Sequence, residues 1–376
     1  MKYHTLKQAW MPLGVLAVLA PPAIAQDQAA ELAQLRDRVA QLETSAGNRL
    51  RFNLGAGTTM TVYGYIKADF VYDFDTNLGL TSGGLGGLVA GGNTGPNFRA
   101  HSFQSRLGVR TETDTEIGVV KTVIEGDFFG GGGGTFRLRH ANVSFGNWLV
   151  GRSWTNFMPI ESYPGTLDFQ GPTGIPFARQ TQLRYTASLG DAVKASFSIE
   201  NAAGASNDPT LTAAASYKTG RAFFKLAALG GTVNYNGSSY DRWGVNLSAN
   251  AALWEGGKIN ASYTIGEGIA SYMVSGGPDG QTIGGVDSLI ESQALTIGLT
   301  QAITEKISFG VAYGIRQNDA PALLATDTLQ TLHASVFWHL TERMTVGAEV
   351  IWGERELGNG STENATRLQT SVQFNF

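Results

Sequence analysis

Arginine side chains recur at even spacing in several β-like segments of this 376-residue chain. They are Arg106 and Arg110, then Arg137 and Arg139, and then Arg152 and Arg184, which flank a long connection at 156–178. Even spacing places residues on one face of a strand. An arginine can hold a carboxylate bidentately, which a lysine does less well, and arginines lining a narrow passage attract anions. The chemistry indicated is recognition of carboxylates.

A catalytic interpretation rests on His140, Asn142 and Ser144, which alternate along one strand face. Residues two apart on a strand are separated by about 6.6 to 7 Å. That is too far for the hydrogen bond between a nucleophile and its base. We therefore expect that the chain is not an enzyme.

Metal and cofactor sites are weakly indicated. Asp69, Asp73 and Asp75 could chelate calcium, but their alternation fits a charged strand face and a loop edge better. The glycine run at 130–134 is followed by neither Lys-Ser nor Lys-Thr, so it predicts a flexible loop and not a phosphate cradle. No metal and no cofactor are predicted.

The last twelve residues, 365–376, alternate strictly between apolar and polar side chains. Leu368, Val372 and Phe374 lie on one face, while Gln369 and Ser371 lie on the other. An apolar outer face opposite a polar inner face, repeated in segments of about ten residues, is typical of a transmembrane β-barrel. A last strand that ends in phenylalanine resembles those of bacterial outer-membrane proteins, so the barrel-assembly machinery is an expected partner.

Sixteen segments share this alternation. They are 59–75, 101–114, 115–130, 135–145, 148–155, 179–189, 192–202, 210–219, 222–233, 241–254, 258–272, 289–302, 305–317, 327–340, 341–356 and 364–376. Their connections alternate between short and long, as in outer-membrane barrels. Sixteen strands leave an aqueous channel inside. The predicted fold is all-β: a 16-stranded antiparallel transmembrane barrel with a short N-terminal α-helical coiled-coil stalk.

The start of the chain predicts export. Lys2 and Lys7 precede an apolar run, and Ala23-Ile24-Ala25 is a small-x-small cleavage signal, so 1–25 reads as a signal peptide. Removing these two lysines from 27 basic residues leaves 25 against 31 acidic residues, a net charge of minus six. This balance argues against nucleic acid as a partner. Cysteine is absent, which excludes disulfides and thiol chemistry.

The segment 26–46 carries Leu32, Leu35, Val39 and Leu42 at coiled-coil spacing. We interpret it as a periplasmic oligomerisation stalk, with a disordered tether as the alternative. Residues 47–58 are then a linker and 59–376 the barrel. Eight outer loops and seven inner turns place both termini in the periplasm, where the signal peptide and the stalk require them.

These features together resemble a known family. The stalk, the segments 62–69, 136–141 and 151–157, and a third loop carrying 166–169 and 171–174 resemble the DcaP-like trimeric porins of Gram-negative outer membranes. The resemblance implies a homotrimer embedded in outer-membrane lipid, with loop three, 156–178, folded into each pore. It also implies a preference for anionic solutes such as dicarboxylates.

By resemblance to general porins, the loop-three acids Glu161 and Asp168 are expected to face the arginines and set a transverse field. An unselective lumen is the alternative, because nine basic residues stand beside seven acidic ones between Arg99 and Arg184. The parity of the fourth strand is also open. Val143 shares a face with Arg139 there, and a bulge could intervene.

The predicted function is passive diffusion of small hydrophilic solutes across the outer membrane, with anions favoured. No energy coupling is expected. The alternatives are a non-selective general porin and a structural barrel whose pore is closed by its loops.

Overall fold

The computed structural model describes residues 50–319 and 321–376, so the predicted signal peptide and stalk lie outside the described residues. None of the helices in the described part is long and apolar enough to span a membrane. Strands dominate. They are β1 Arg51–Gly55, β2 Thr58–Asp73, β3 Asn97–His101, β4 Arg106–Thr115, β5 Gly118–Gly130, β6 Thr135–Phe145, β7 Trp148–Trp154, β8 Arg179–Leu189, β9 Val193–Glu200, β10 Thr210–Lys218, β11 Ala222–Tyr235, β12 Ser238–Trp254, β13 Gly257–Glu267, β14 Gly280–Ile283, β15 Val286–Leu289, β16 Glu291–Ala302, β17 Ile307–Asn318, β18 Thr326–His339, β19 Met344–Leu357 and β20 Thr362–Asn375. Three 3-10 helices are present, at Ser82–Gly87, Ile160–Ser162 and Ala270–Tyr272.

Sixteen antiparallel wall strands close into a barrel, which confirms the predicted barrel. Each wall strand pairs with the next along the chain. The last strand, β20, pairs with β2 from Tyr65↔Asn375 to Asp73↔Arg367. β3 and β4 together count as the second wall strand, since both pair with β2. β14 and β15 form a separate hairpin that is not part of the barrel sheet. β1 lies inside the segment predicted as a linker, 47–58, and pairs with the start of β2.

The two faces of the wall follow the pleat, because successive side chains of a strand point to opposite sides. On β2, Ile66 and Phe70 are 58% and 46% exposed on the outside, while Lys67 and Asp69 are buried inside. On β20, Phe374 is exposed on the outside, and Gln369 and Ser371 are buried inside. The polar face therefore lines the lumen, as the alternation predicts.

The connections differ in length between the two ends of the barrel. At one end they are turns of two to four residues, whereas the other end carries the long loops 74–96, 155–178 and 268–290, here loops 1, 3 and 6. The fifth loop is shorter than the predicted 234–240. Asn236 and Gly237 form it alone, both with positive φ, which is the two-residue Asn-Gly hairpin geometry.

Loops 1, 3 and 6 fold into the barrel and pack on one side of its inner wall. Leu85 of loop 1 is fully buried with Leu329 and Ile351 of β18 and β19. Phe157 of loop 3 and Tyr272 of loop 6 are buried together against β10 to β12 and β16; the cluster comprises Phe157, Ala178, Ala203, Ala227, Leu229, Ile269, Tyr272, Met273 and Ala294. Arg106, Arg110, Arg137, Arg139, Arg179 and Arg184 lie on strands between β4 and β8.

Glycines in the wall allow loop 3 to pack closely against the wall backbone. A Cβ atom on Gly314 would lie 2.4 Å from the carbonyl oxygen of Thr173, and one on Gly347 would lie 2.7 Å from Leu167 Cδ1. We expect Gly314→Ala to destabilise the folded barrel by about 1–3 kcal/mol through overpacking. The thermal midpoint in detergent measures this. Gly230→Ala is the control, because a Cβ there meets no atom within 4 Å, and an equal loss in both variants would contradict the packing account.

Candidate functional site

Three arginines and two carboxylates form a network on the inner wall at β4, β5 and β6. Arg137 donates from Nε and Nη2 to the two oxygens of Asp127, at 2.9 and 2.8 Å. Arg139 donates to Glu125 and to Asp127, at 2.9 Å each. Arg106 lies 3.4 Å from Glu125. The network therefore contains one more positive charge than negative.

A β-bulge at Arg139 separates the face of Arg137 and Arg139 from that of Val143. His140 pairs with Glu125 and Leu138 pairs with Gly126, which leaves Arg139 as the extra residue of β6. A bulge shifts the alternation by one residue. Val143 is accordingly exposed on the outside, although regular pairing would give it the face of Arg139.

Aromatic rings lie under the guanidinium groups. The distances from guanidinium carbon to ring centroid are 4.3 Å for Arg110 on Tyr63, 5.0 Å for Arg106 on Tyr65, 3.8 Å for Arg179 on Trp154, and 5.5 and 5.4 Å for Arg137 and Arg139 on Phe169. Such contacts are attractive and orient the cation. Because Phe169 belongs to loop 3, the loop reaches across to the arginines.

Two buried carboxylates fix loop 3 to the wall. Glu349 of β19 accepts hydrogen bonds from the backbone N–H groups of Leu167 and Asp168, at 2.5 and 3.2 Å. Lys67 of β2 donates to the Leu167 carbonyl at 2.7 Å. At the start of the loop, Glu200 of β9 accepts from the Asn156 N–H at 2.8 Å. The loop is therefore held at both its beginning and its middle.

Asp168 does not face the arginines, in contrast to the expectation from its place in loop 3. Its side chain is 3% exposed and accepts from the N–H and hydroxyl of Ser82, at 3.0 and 2.6 Å. Ser82 begins the 3-10 helix of loop 1, whose free N–H groups favour an anion. Asp168 thus ties loop 1 to loop 3.

Tyr163 closes loop 3 on itself by donating its hydroxyl to the Gln170 carbonyl. Burial raises the pKa of this phenol well above its usual value, and the charge of Asp168 raises it further. The hydroxyl therefore stays protonated and remains a donor across the physiological pH range.

Glu161 is exposed, and its main-chain carbonyl accepts from Asn250 at 2.6 Å. Its carboxylate interacts electrostatically with Arg184 and with Lys225. Arg184 itself donates to Gln182 at 2.8 Å and to the Trp154 carbonyl at 2.6 Å. Of the two predicted loop acids, Glu161 alone therefore lies opposite a predicted arginine.

Arg152 takes a different place from the other predicted arginines. It pairs directly with Ala141 and Thr181, at the parity of Val150 and Leu183, which are 43% and 44% exposed on the outer surface. The pairing of β6 with β7 ends at Arg152, and beyond it Trp154 turns to the arginine wall. Arg152 is not among the residues of the ion-pair network at β4, β5 and β6.

Arg179 is not among the predicted site residues; it begins β8 directly after loop 3 and stacks on Trp154. The signal that could have found it is its position next to the loop. Asp69 and Asp73, weighed as calcium ligands, pair with Lys67 and Arg367 at 3.0 and 2.6 Å. Residues 50–319 and 321–376 contain no group of three His, Cys, Asp or Glu placed to hold a metal ion.

The glutamate clamp on loop 3 can be tested. Glu349→Gln leaves one of the two loop N–H groups without its charged acceptor, so we expect a loss of about 1–3 kcal/mol in stability and a noisier single-channel current. Glu354→Gln on the outer face of the same strand, where Glu354 accepts from Gln330, is the control. Identical traces for wild type and Glu349→Gln would contradict the clamp.

Comparisons with known proteins agree with this architecture. A model of the DcaP outer membrane protein family matches residues 32–280. The structure is similar to the outer membrane channel DcaP of Acinetobacter baumannii, with a TM-score of 0.78 and 22% identity over 86% of this chain and 99% of that chain. Salmonella typhi OmpF in complex with daunomycin gives a TM-score of 0.58 and 11% identity, over 87% and 100% of the two chains.

OmpT, an outer membrane protein of Vibrio cholerae, gives a TM-score of 0.59 and 12% identity, over 87% of this chain and 100% of that chain. At these identities the similarity establishes the fold alone. The search of curated protein sequences returned no match.

Proposed function

Because this chain belongs to the DcaP outer membrane protein family, we propose that it conducts small anionic solutes, with dicarboxylates as the favoured class, by passive diffusion. The family and the porin-like barrel place the chain in the outer membrane of a Gram-negative bacterium. The selectivity is the step that the proposal adds. It follows from the charges of the arginines on the inner wall from β4 to β8.

One observation carries the proposal: positive charge on that wall is only partly compensated. Within the described residues, Arg110, Arg179 and Arg184 have no carboxylate within 4 Å. The other three wall arginines share the two carboxylates of Glu125 and Asp127. Packed loops lower the local dielectric, which strengthens the field of each uncompensated charge. An anion therefore meets a lower barrier than a cation.

Two alternatives remain to be separated by experiment. A non-selective porin would use the same wall, with water screening its charges. The observation in support of a closed structural barrel is that three loops fold into the lumen. Catalysis has no comparable support, since His140 packs edge-on against Trp154, with ring centroids 5.7 Å apart.

We further propose a homotrimer with both termini in the periplasm and insertion by the barrel-assembly machinery. The support is the family, together with the placement of the short turns and both strand termini of the barrel at the same end. A native mass in detergent of about three times the mature chain tests the trimer. A monomer mass with full channel activity would overturn it.

The first test is the reversal potential of the purified protein in a planar bilayer under a potassium chloride gradient, repeated with succinate on one side. We expect stepwise single-channel openings and a reversal potential that is shifted from zero toward the equilibrium potential of chloride. We also expect the current to fall as the succinate concentration rises. Cation selectivity without a succinate effect would overturn the anion preference but keep the porin. Absence of conductance would favour the closed barrel.

A double variant tests which charges set the selectivity. Replacing Arg110 and Arg184 with Gln removes two charges that have no carboxylate within 4 Å in the described residues, so the reversal potential should move toward zero by about half or more. Arg221→Gln is the control, because Arg221 lies in an exposed turn at the end of the barrel away from the long loops. An unchanged reversal potential in the double variant would place the selectivity elsewhere.

A further inference from the structure

Arg179 differs from the other guanidinium groups of the passage in its hydrogen bonding. It is the first residue of β8 and pairs with Trp154, the last residue of β7, so it lies where loop 3 leaves the wall and returns to it. Its guanidinium carbon is 3.8 Å from the centroid of the Trp154 ring and 5.4 Å from that of Phe177. The two rings fix the position of the guanidinium group.

Two nitrogens of Arg179, Nε and Nη2, are buried and have no hydrogen-bond partner among residues 50–319 and 321–376. These two atoms form one edge of the guanidinium plane. Arg137 uses the same edge to hold Asp127, at 2.9 and 2.8 Å, and Arg367 uses it to hold Asp73, at 2.6 and 3.0 Å. In the described part of the chain, Arg179 alone among the arginines has both atoms of this edge buried without a hydrogen-bond partner.

The surroundings of Arg179 make a ligand carboxylate the fitting partner. The charges of Arg139, Arg137 and Arg106 all act on it, while Asp127 opposes them. Asp127 already accepts from both Arg137 and Arg139. Burying a guanidinium without an acceptor is costly, so a protein retains such a group where it serves function more than stability.

We propose that Arg179 binds a carboxylate of the passing solute side-on, through Nε and Nη2, with Trp154 holding the guanidinium plane. This assignment rests on the proposed function and adds the residue and the geometry. Both nitrogens are covered in the structure, so a carboxylate reaches them when a covering side chain moves aside. A planar anion with two oxygens fills this edge, whereas chloride contacts one point.

The test compares Arg179→Lys with wild type in planar bilayers. Lysine keeps the charge but lacks the two-donor edge. We expect the succinate concentration that halves the chloride current to rise at least about tenfold, as for the loss of a charge-assisted bidentate contact. The reversal potential in potassium chloride should stay unchanged. Arg221→Lys, in an exposed turn, is the control and should change neither quantity.

A second variant guards against misfolding. Trp154→Leu removes the supporting ring without changing any charge, so it should weaken the succinate effect in the same direction while single-channel conductance in chloride remains. If wild type shows neither anion selectivity nor a succinate effect, the proposed function itself fails. If wild type shows both, and Arg179→Lys and Trp154→Leu keep the wild-type succinate response, the assignment to Arg179 is wrong and the porin proposal stands.

Discussion

Closure of the sheet is the constraint on which the rest of this structure depends. In a bilayer no water is available for backbone N–H and C=O groups, so an open sheet edge cannot face lipid. The pairing of β2 with β20 removes the last edge. It also brings residues from the two ends of the chain together, because Arg367 holds Asp73 across this seam. The outer apolar face and the polar interior follow directly from the pleat of the closed wall.

A wall of sixteen strands creates a second problem, since its interior is too wide for the wall side chains to fill. Loops 1, 3 and 6 fill part of that space. Their backbone groups must then find acceptors and donors inside the barrel. Glu200, Glu349 and Asp168 supply several of these acceptors, each buried and each bonded to backbone N–H groups of a loop. Buried acids therefore hold in place the loops that occupy part of the lumen.

The alternation of the strands was accessible to sequence analysis because it is a local property with a period of two residues. Contacts between loops are not local. The partner of Asp168 is Ser82, 86 residues earlier, and nothing near Asp168 distinguishes a pore acid from a tether. Arg152 and Arg179 depend on where the pairing of β6 with β7 stops. The sequence therefore predicts the barrel and most of the arginine wall, whereas the roles at the constriction require the folded loops.

The positions of the charged side chains explain how an acidic protein can carry the proposed passage for anions. The chain has 31 acidic and 27 basic residues, which by itself would favour cations. The charges are sorted by position, however. Buried acids such as Glu200 and Glu349 are occupied by backbone N–H groups, while Arg110, Arg179 and Arg184 have no carboxylate within 4 Å in the described part of the chain. In the proposed passage, the wall arginines that have no carboxylate within 4 Å supply the positive field that would favour an anion.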